Sequence, residues 1–414
     1  MRKLLLIAMG ALLLTACHHD DNKVKGKYSR TVLVYMAGDN SLTLNSARID
    51  FAAQDLSEMI QGSKQVAGDC KLLLFVDKNI KNATKQKPYF MLVENGDTTR
   101  LKTFDSELNS GDPATLRMAM KWAIDNYEAE SYGLVLWGHA DGWIIRNQAP
   151  AFSRNTRAYG VDNTSGVKWM DIPQMAQVLA TLPKLDFIFA DCCAFLCVES
   201  AYELRQCADY IISSAAEIPG VGAPYQTVIP ALFSQSSTFY QTVADAYFAQ
   251  TSQGYKEPIA VVKTSEMENL AQATRTVLGT FVPQMENGGR RPDTSGLIYY
   301  FDHTQFDMND FILRYASENE YAQWKSVFNR AVVYSKMAPV WLANHIYYKS
   351  AINENEFRDF TVTEERYGGL GMYIPQDAAS IRGYKNITFS IDKLNENIRL
   401  MQWYKAAGLD QLGW

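Results

Sequence analysis

The sequence predicts an α/β sandwich around a mainly parallel sheet, and three observations predict it. Short runs rich in Val, Leu, Ile and Phe alternate with segments of helical periodicity through the first half of the chain. Two of these runs, Tyr132-Gly-Leu-Val-Leu-Trp-Gly-His139 and Leu185-Asp-Phe-Ile-Phe-Ala-Asp-Cys-Cys193, end in chemically active residues, as strands do when a parallel sheet presents a site at its carboxyl edge. Finally, 414 residues at 47% hydrophobic and 12% aromatic content supply a large core.

The elements follow in order. Residues 30–37 read as a buried first strand, closed by the turn Gly38-Asp-Asn-Ser41. Residues 42–59 have helical periodicity, with Asp39, Asn40 or Ser41 able to cap them. A second strand covers 70–76. Residues 89–93 and 98–103 form a hairpin around Asn95-Gly96. Asp112-Pro113 opens a helix to about 127, with Pro at its first position. After the strand ending in His139 comes a polar stretch, about 143–168, too long for a simple connector. A helix over 171–182, the strand ending in Asp191, a helix over 194–206 and a strand at 210–213 complete the alternation. Beyond 225 helices dominate, at 238–250 and 266–285, with a strand at 258–263 between them. Residues 368–375 read as a late strand and 395–407 as a closing amphipathic helix. No Pro/Gly/Ser linker interrupts the chain, so 28–235 are expected to form the core and 236–414 a mostly helical C-terminal part of the same unit.

The N-terminus reads as a targeting signal. Arg2 and Lys3 precede an apolar stretch, Leu4 to Leu14, too short to span a bilayer as a mature helix. Leu14-Thr-Ala-Cys17 resembles a lipobox, which makes residues 1–17 a lipoprotein signal and Cys17 the lipidated residue; an ordinary secretory signal with a chance cysteine is the alternative. Polar residues 18–27 then form a flexible tether. Asp20 and Asp21 resemble the acidic surface-export signals of some Gram-negative lipoproteins. The expected location is the cell envelope, with the protein lipid-anchored to the outer membrane or cell surface. A net charge of −5, a pI near 5.7 and the lack of a basic tract give nucleic-acid binding no electrostatic support.

Setting Cys17 aside leaves Cys70, Cys192, Cys193, Cys197 and Cys207, an odd number, which suggests a free thiol. His139 stands about 50 residues ahead of Cys193, the spacing of the caspase histidine and cysteine. The other histidines are His18, His19, His303 and His345, two of them in the tail. A cysteine attacks a carbonyl as thiolate. At the start of a helix over 194–206, Cys193 would be helped by the helix dipole, and His139 would serve as base and then as acid. Cys192 is the rival nucleophile, since strand neighbours point to opposite faces. Cys192-Cys-x₃-Cys197 lacks the paired spacing of a zinc site, and the Ser-hydrolase, zinc-protease, phosphate-loop and calcium-loop motifs are all missing.

Six segments in order resemble one family. Tyr35-Met-Ala-Gly-Asp-Asn-Ser-Leu42, Leu134-Val-Leu-Trp-Gly-His-Ala-Asp-Gly-Trp143, Asp191-Cys-Cys193, Val198-Glu-Ser-Ala-Tyr-Glu-Leu-Arg205, Ile218-Pro-Gly-Val-Gly-Ala-Pro-Tyr225 and Gly369-Leu-Gly-Met-Tyr-Ile-Pro375 look like the clostripain family of cysteine peptidases. The resemblance runs from about 30 to 408. It implies a caspase-like three-layer sandwich with helices on both faces of the sheet. It places the nucleophile on Cys193, with Cys192 in a slot usually held by Ala, and backbone oxyanion donors at Ala140 and Cys193. It sets Asp191 against a basic P1 side chain, a role a carboxylate suits because it accepts a bidentate guanidinium; a cap on the following helix is the other reading of Asp191. The family also implies peptide or protein substrates, calcium dependence in some members, and precursor cleavage, for which Arg154 and Arg157 are the candidate sites, against an uncut loop.

Two departures bear on this. Ala140 replaces a usual Gly; if that position needs positive φ, Ala costs of order 1 kcal/mol. Val221, between Gly220 and Gly222, stands where further acidity would be expected, and Glu217 is nearby. Two functions are therefore carried forward: a lipid-anchored cysteine endopeptidase, and a non-catalytic relative that binds peptides or host proteins. A redox role for Cys192 and Cys193 is disfavoured, because adjacent cysteines close a strained ring.

Overall fold

The computed structural model describes residues 28–43, 49–78, 87–145, 158–164, 168–250, 256–285, 291–301, 304–341, 360–376 and 391–414. The signal segment, Cys17, the tether, Arg154 and Arg157 lie outside them.

Nine strands make the central sheet: β1 (Tyr28–Gly38), β2 (Cys70–Lys78), β3 (Tyr89–Glu94), β4 (Asp97–Thr103), β5 (Ala129–Trp137), and, beyond the small hairpin of β6 (Tyr159–Asp162) and β7 (Lys168–Met170), β8 (Leu185–Asp191), β9 (Ala208–Ser213), β10 (Ile259–Lys263) and, after β11 (Tyr299–Phe301) and β12 (Gln305–Asp307), β13 (Val332–Lys336). Their order is β13-β10-β9-β8-β5-β1-β2-β3-β4. The five middle strands are parallel and both edges are antiparallel. The sheet is thus mainly parallel. Asn95 and Gly96 both take positive φ in the β3–β4 turn, which is why that dipeptide stands there.

Side chains alternate along β1. Val32, Val34 and Met36 join one apolar cluster, Leu33, Tyr35 and Ala37 the other. On the first face lie α1 (Phe51–Ser63) and, from later in the chain, the helices at Tyr225–Leu232 and Phe239–Ala249. On the second lie α2 (Pro113–Asn126), α3 (Ile172–Leu179) and α4 (Val198–Glu203). Helices Tyr225–Leu232 and Phe239–Ala249 are α5 and α6; α7 (Met267–Phe281), α8 (Met308–Tyr315) and α9 (Glu318–Ala331) follow. The segment after 236 adds β10 and β13 to the sheet and a three-stranded sheet, β11-β12-β14, with β14 at Gly371–Met372.

Three expectations shift. The helix expected over 42–59 runs instead over Phe51–Ser63, capped by Asp50, whose carboxylate accepts from the Ala53 amide; residues 39–43 form a turn. The helix expected over 194–206 begins only at Val198 and ends in a 3₁₀ turn at Gln206. The closing helix is broken into α10 (Ile391–Asn397) and α11 (Gln402–Ala406). The break has a cause: Glu203 accepts from the Gln402 amide at 2.5 Å and from its side chain at 2.7 Å, holding Met401 extended.

Candidate active site

β5 and β8 are adjacent, parallel and in register, with Trp137 opposite Asp191. His139 and Cys193 each stand two residues further on, so the pairing brings both to one carboxyl edge. β1 turns to β2 on one side while β5 lies on its other side. The edge is therefore a switch point, where open parallel sheets form crevices. His139 is the only histidine among the described residues. It is half-buried; its Nε2 lies 2.9 Å from Ser41 Oγ, and its carbonyl accepts from the Gly160 amide at 3.0 Å. Ser41 thus reaches across the switch point from the end of β1 to the imidazole.

Cys193 is half-buried, whereas Cys192 is fully buried in the core of the second face. Burial, with the neighbouring Cys193 and Asp191, pushes the Cys192 thiol well above its usual range. The sulfur of Cys193 lies 3.4 Å from the Ile218 amide, which donates to it, and 3.6 Å from the Ile218 carbonyl, to which the thiol can donate. The amide would favour the thiolate and the carbonyl the thiol. The helix dipole expected from the sequence does not act here: four residues separate Cys193 from α4, a helix of only six. The intervening loop is held otherwise. The Ala194 amide donates to Ala216 and the Leu196 amide to Ser214, while the Gln305 side-chain amide donates to the Ala194 carbonyl at 2.5 Å. Gly142 takes φ +67 beside them, where a Cβ would strike the Gln305 side chain and meet the Ala194 carbonyl at 2.5 Å. Gln305 of β12 therefore braces the loop after His139 and the loop after Cys193 together.

Asp191 points to the opposite face and is 3% exposed. Its Oδ2 accepts from the Tyr225 hydroxyl at 2.7 Å and the Ala223 amide at 3.1 Å; its Oδ1 is buried without a hydrogen-bond partner. Gly222, at φ +57, packs on this carboxylate, where a Cβ would come within 2.7 Å of it. Burial pushes Asp191 up to about 6 against the Tyr225 and Ala223 bonds that lower it. Asp191 does not cap α4, whose N-cap is Cys197. Behind it, Asp55 of α1 accepts from Trp137 Nε1 at 2.5 Å and is pushed up to about 9 by burial and by Asp191. Glu217, half-buried, precedes the Ile218 donor.

Residues 34–408 match the family model described as the clostripain family. The chain belongs to the clostripain family. A secreted C11 cysteine protease of Bacteroides thetaiotaomicron, solved with an irreversible peptide inhibitor, is similar at TM-score 0.72 and 29% identity, covering 92% of this chain and 99% of that one. An inactive zymogen C11 protease of Parabacteroides distasonis is similar at TM-score 0.73 and 27% identity, covering 92% and 98%. Clostripain of Hathewaya histolytica is 22% identical over 239 residues, 50% of this chain and 43% of that protein, so the match spans less than half the length of that curated relative. The caspase-like expectation for the fold agrees with these solved members. Within the clostripain-family pattern, Ala140 departs from Gly at no conformational cost: it is not among the residues at positive φ. The strained alanine is Ala194, at φ +54, directly after the candidate nucleophile.

Proposed function

We propose that the protein is a cysteine endopeptidase that uses Cys193 and His139 and cleaves after Arg or Lys. One observation carries this: the one thiol among the described cysteines that is not fully buried, with the Ile218 amide donating to its sulfur, stands at the same sheet edge as a half-buried imidazole held by Ser41. The Cys193 thiolate attacks the scissile carbonyl carbon, and the oxyanion forms against the backbone N–H groups of Ala140 and Cys193. His139 gives its proton to the leaving amine as the C–N bond breaks, leaving a thioester. It then takes a proton from water, which attacks the thioester and releases the acid and the thiol. Asp191 Oδ1 is the acceptor for the P1 cation. Calcium, raised by the sequence resemblance, would be held by the carboxylates of Asp39, Glu107 and Asp162, whose oxygens lie within 4.8 Å of one another, where it would supply charge neutralisation and no bond-making step. The reading as a non-catalytic binder rested on strain at Ala140, which the backbone does not show. Fluorogenic peptides ending in Arg, Lys or Ala test the proposal: the basic two should be hydrolysed and the Ala peptide much less, and no hydrolysis of any would defeat it.

Two further expectations belong to this reading. The polar stretch after His139 offers Arg154 and Arg157 for self-cleavage, and the relative from Parabacteroides distasonis is described as an inactive zymogen. Purified wild type should run as two fragments and Cys193→Ala as one; a single band from fully active wild type would rule self-cleavage out. The leader ending in Leu14-Thr-Ala-Cys17 supports lipidation at Cys17 and an envelope location. Labelled palmitate should enter the wild type and not Cys17→Ser; equal labelling would refute the anchor.

A further inference from the structure

The sequence offers Ser41 as a cap for a helix starting near 42, but the structure gives it no such duty: α1 begins at Phe51 and is capped by Asp50. The Ser41 hydroxyl lies instead 2.9 Å from His139 Nε2. Ser41 is exposed. An exposed hydroxyl on an imidazole is ordinarily worth little, because water competes for both groups. This pair differs in how firmly each partner's backbone is held.

Asn40, which is buried, fixes the Ser41 side. Its side-chain amide donates to the Ala37 carbonyl at 2.9 Å and to the Val161 carbonyl at 3.0 Å, and its Oδ1 accepts from the Leu42 amide at 3.0 Å. Asn40 thus ties the turn on both sides of Ser41 to β1 and to β6. Thr43 closes the turn, its hydroxyl donating to the Gly38 carbonyl. The same strand β6 fixes the His139 side. The Gly160 amide donates to the His139 carbonyl at 3.0 Å, and the Asp141 amide to the Ala158 carbonyl at 3.2 Å. The Tyr159 hydroxyl meets the Tyr35 carbonyl of β1 at 3.1 Å and the Trp137 carbonyl of β5 at 3.2 Å. Gly138 lets the two strand ends close up, since a Cβ there would come within 3.1 Å of the Ala37 carbonyl. β6 therefore clamps the ends of β1 and β5, and the Ser41–His139 spacing is built into the fold.

We infer that Ser41 is a positioning residue for His139: its Oγ accepts from Nε2–H and so makes Nδ1 the nitrogen that exchanges protons with Cys193. The inference rests on the reading of Cys193 and His139 as nucleophile and base. The hydrogen bond made by one imidazole nitrogen decides the tautomer at the other. With Nε2–H given to Ser41, Nδ1 carries the lone pair, and the Cys193 S–H bond breaks as Nδ1–H forms. Ser41 accepts more strongly from the resulting imidazolium than from the neutral ring, which favours the thiolate–imidazolium pair. The Nδ1 proton then passes to the leaving amine as the C–N bond breaks, and Nε2–H stays on Ser41 throughout.

The test compares full-length wild type, Ser41→Ala, Ser41→Thr and His139→Ala. On an Arg-ending fluorogenic peptide, Ser41→Ala should lower kcat about 10- to 100-fold and change KM by less than about twofold, the loss expected for one hydrogen bond to a charged group. Ser41→Thr keeps the hydroxyl and should restore most of the rate. Alkylation of Cys193 by iodoacetamide, located by mass spectrometry, reads the same thiolate without a peptide; it should slow in Ser41→Ala and recover in Ser41→Thr. Because the Ser41 side chain is exposed, its variants should melt with the wild type. Unchanged kcat in Ser41→Ala, a change in KM alone, or a Thr variant as slow as the Ala variant would each overturn the inference. His139→Ala separates it from the reading beneath it. Hydrolysis and alkylation undiminished in His139→Ala would bring down the Cys193–His139 assignment and Ser41 with it, whereas loss in His139→Ala without loss in Ser41→Ala would remove Ser41 alone.

Discussion

Cys193→Ala is expected to abolish peptide hydrolysis, while Cys192→Ala keeps most of it. The two sulfurs are neighbours in sequence but sit on opposite sides of the strand end. Cys193 is half-buried and receives the Ile218 amide; Cys192 is fully buried in the apolar cluster of the second face. Only Cys193 can form the thioester, so its loss should lower kcat by on the order of 10⁴-fold or more. Cys192→Ala removes one buried sulfur and should cost about 1 kcal/mol of stability, read as a small fall in melting temperature. Steady-state rates on an Arg-ending peptide, with thermal melts of both variants, check this. Comparable losses of activity in the two would mean that the nucleophile is misassigned.

The second large effect is on selectivity. Asp191→Asn keeps an acceptor for Tyr225 and Ala223 but removes the charge opposite a P1 guanidinium or ammonium. A charge-assisted hydrogen bond is worth about 1.5–3 kcal/mol, so kcat/KM for Arg and Lys peptides should fall roughly 10- to 100-fold. Peptides with neutral P1 residues should change little. The pH profile gives a second readout. Burial raises Asp191 to about 6, so it is protonated and neutral below that pH and charged above it. In the wild type, the preference for Arg over a neutral P1 residue should therefore grow as pH rises through about 6, and in Asp191→Asn that step should vanish. A uniform loss across all substrates would show that Asp191 only holds Tyr225 and the Gly222 turn.

The strands were legible because β1, β2, β5 and β8 are unbroken apolar runs, and their ends showed where the site would be. The loop after Cys193 was not. Ala194 to Cys197 have a helix-compatible, apolar sequence, yet their backbone groups are taken by Ala216, Ser214 and Gln305, and Ala194 is turned to positive φ. Tertiary bonds outweigh local propensity there. The same holds at Met401, where a carboxylate more than a hundred residues away in sequence breaks the closing helix. Backbone donors such as the Ile218 amide leave no trace in side-chain identity. Gln305, Asp55 and the carboxylates of Asp39, Glu107 and Asp162 come together from distant segments, so no local motif announces them. The parity that separates Cys192 from Cys193 was available in the sequence, but which parity faces the crevice depends on the packing of α2 and α3.

The central claim is that Cys193, activated beside His139, is the nucleophile. It is tested most directly by treating the protein with a peptidyl chloromethyl ketone ending in Arg and locating the adduct by tandem mass spectrometry. The account predicts one covalent adduct on Cys193, formed far more slowly in His139→Ala and prevented by excess Arg-ending substrate. An adduct on Cys192, or none on folded wild-type protein, would contradict it.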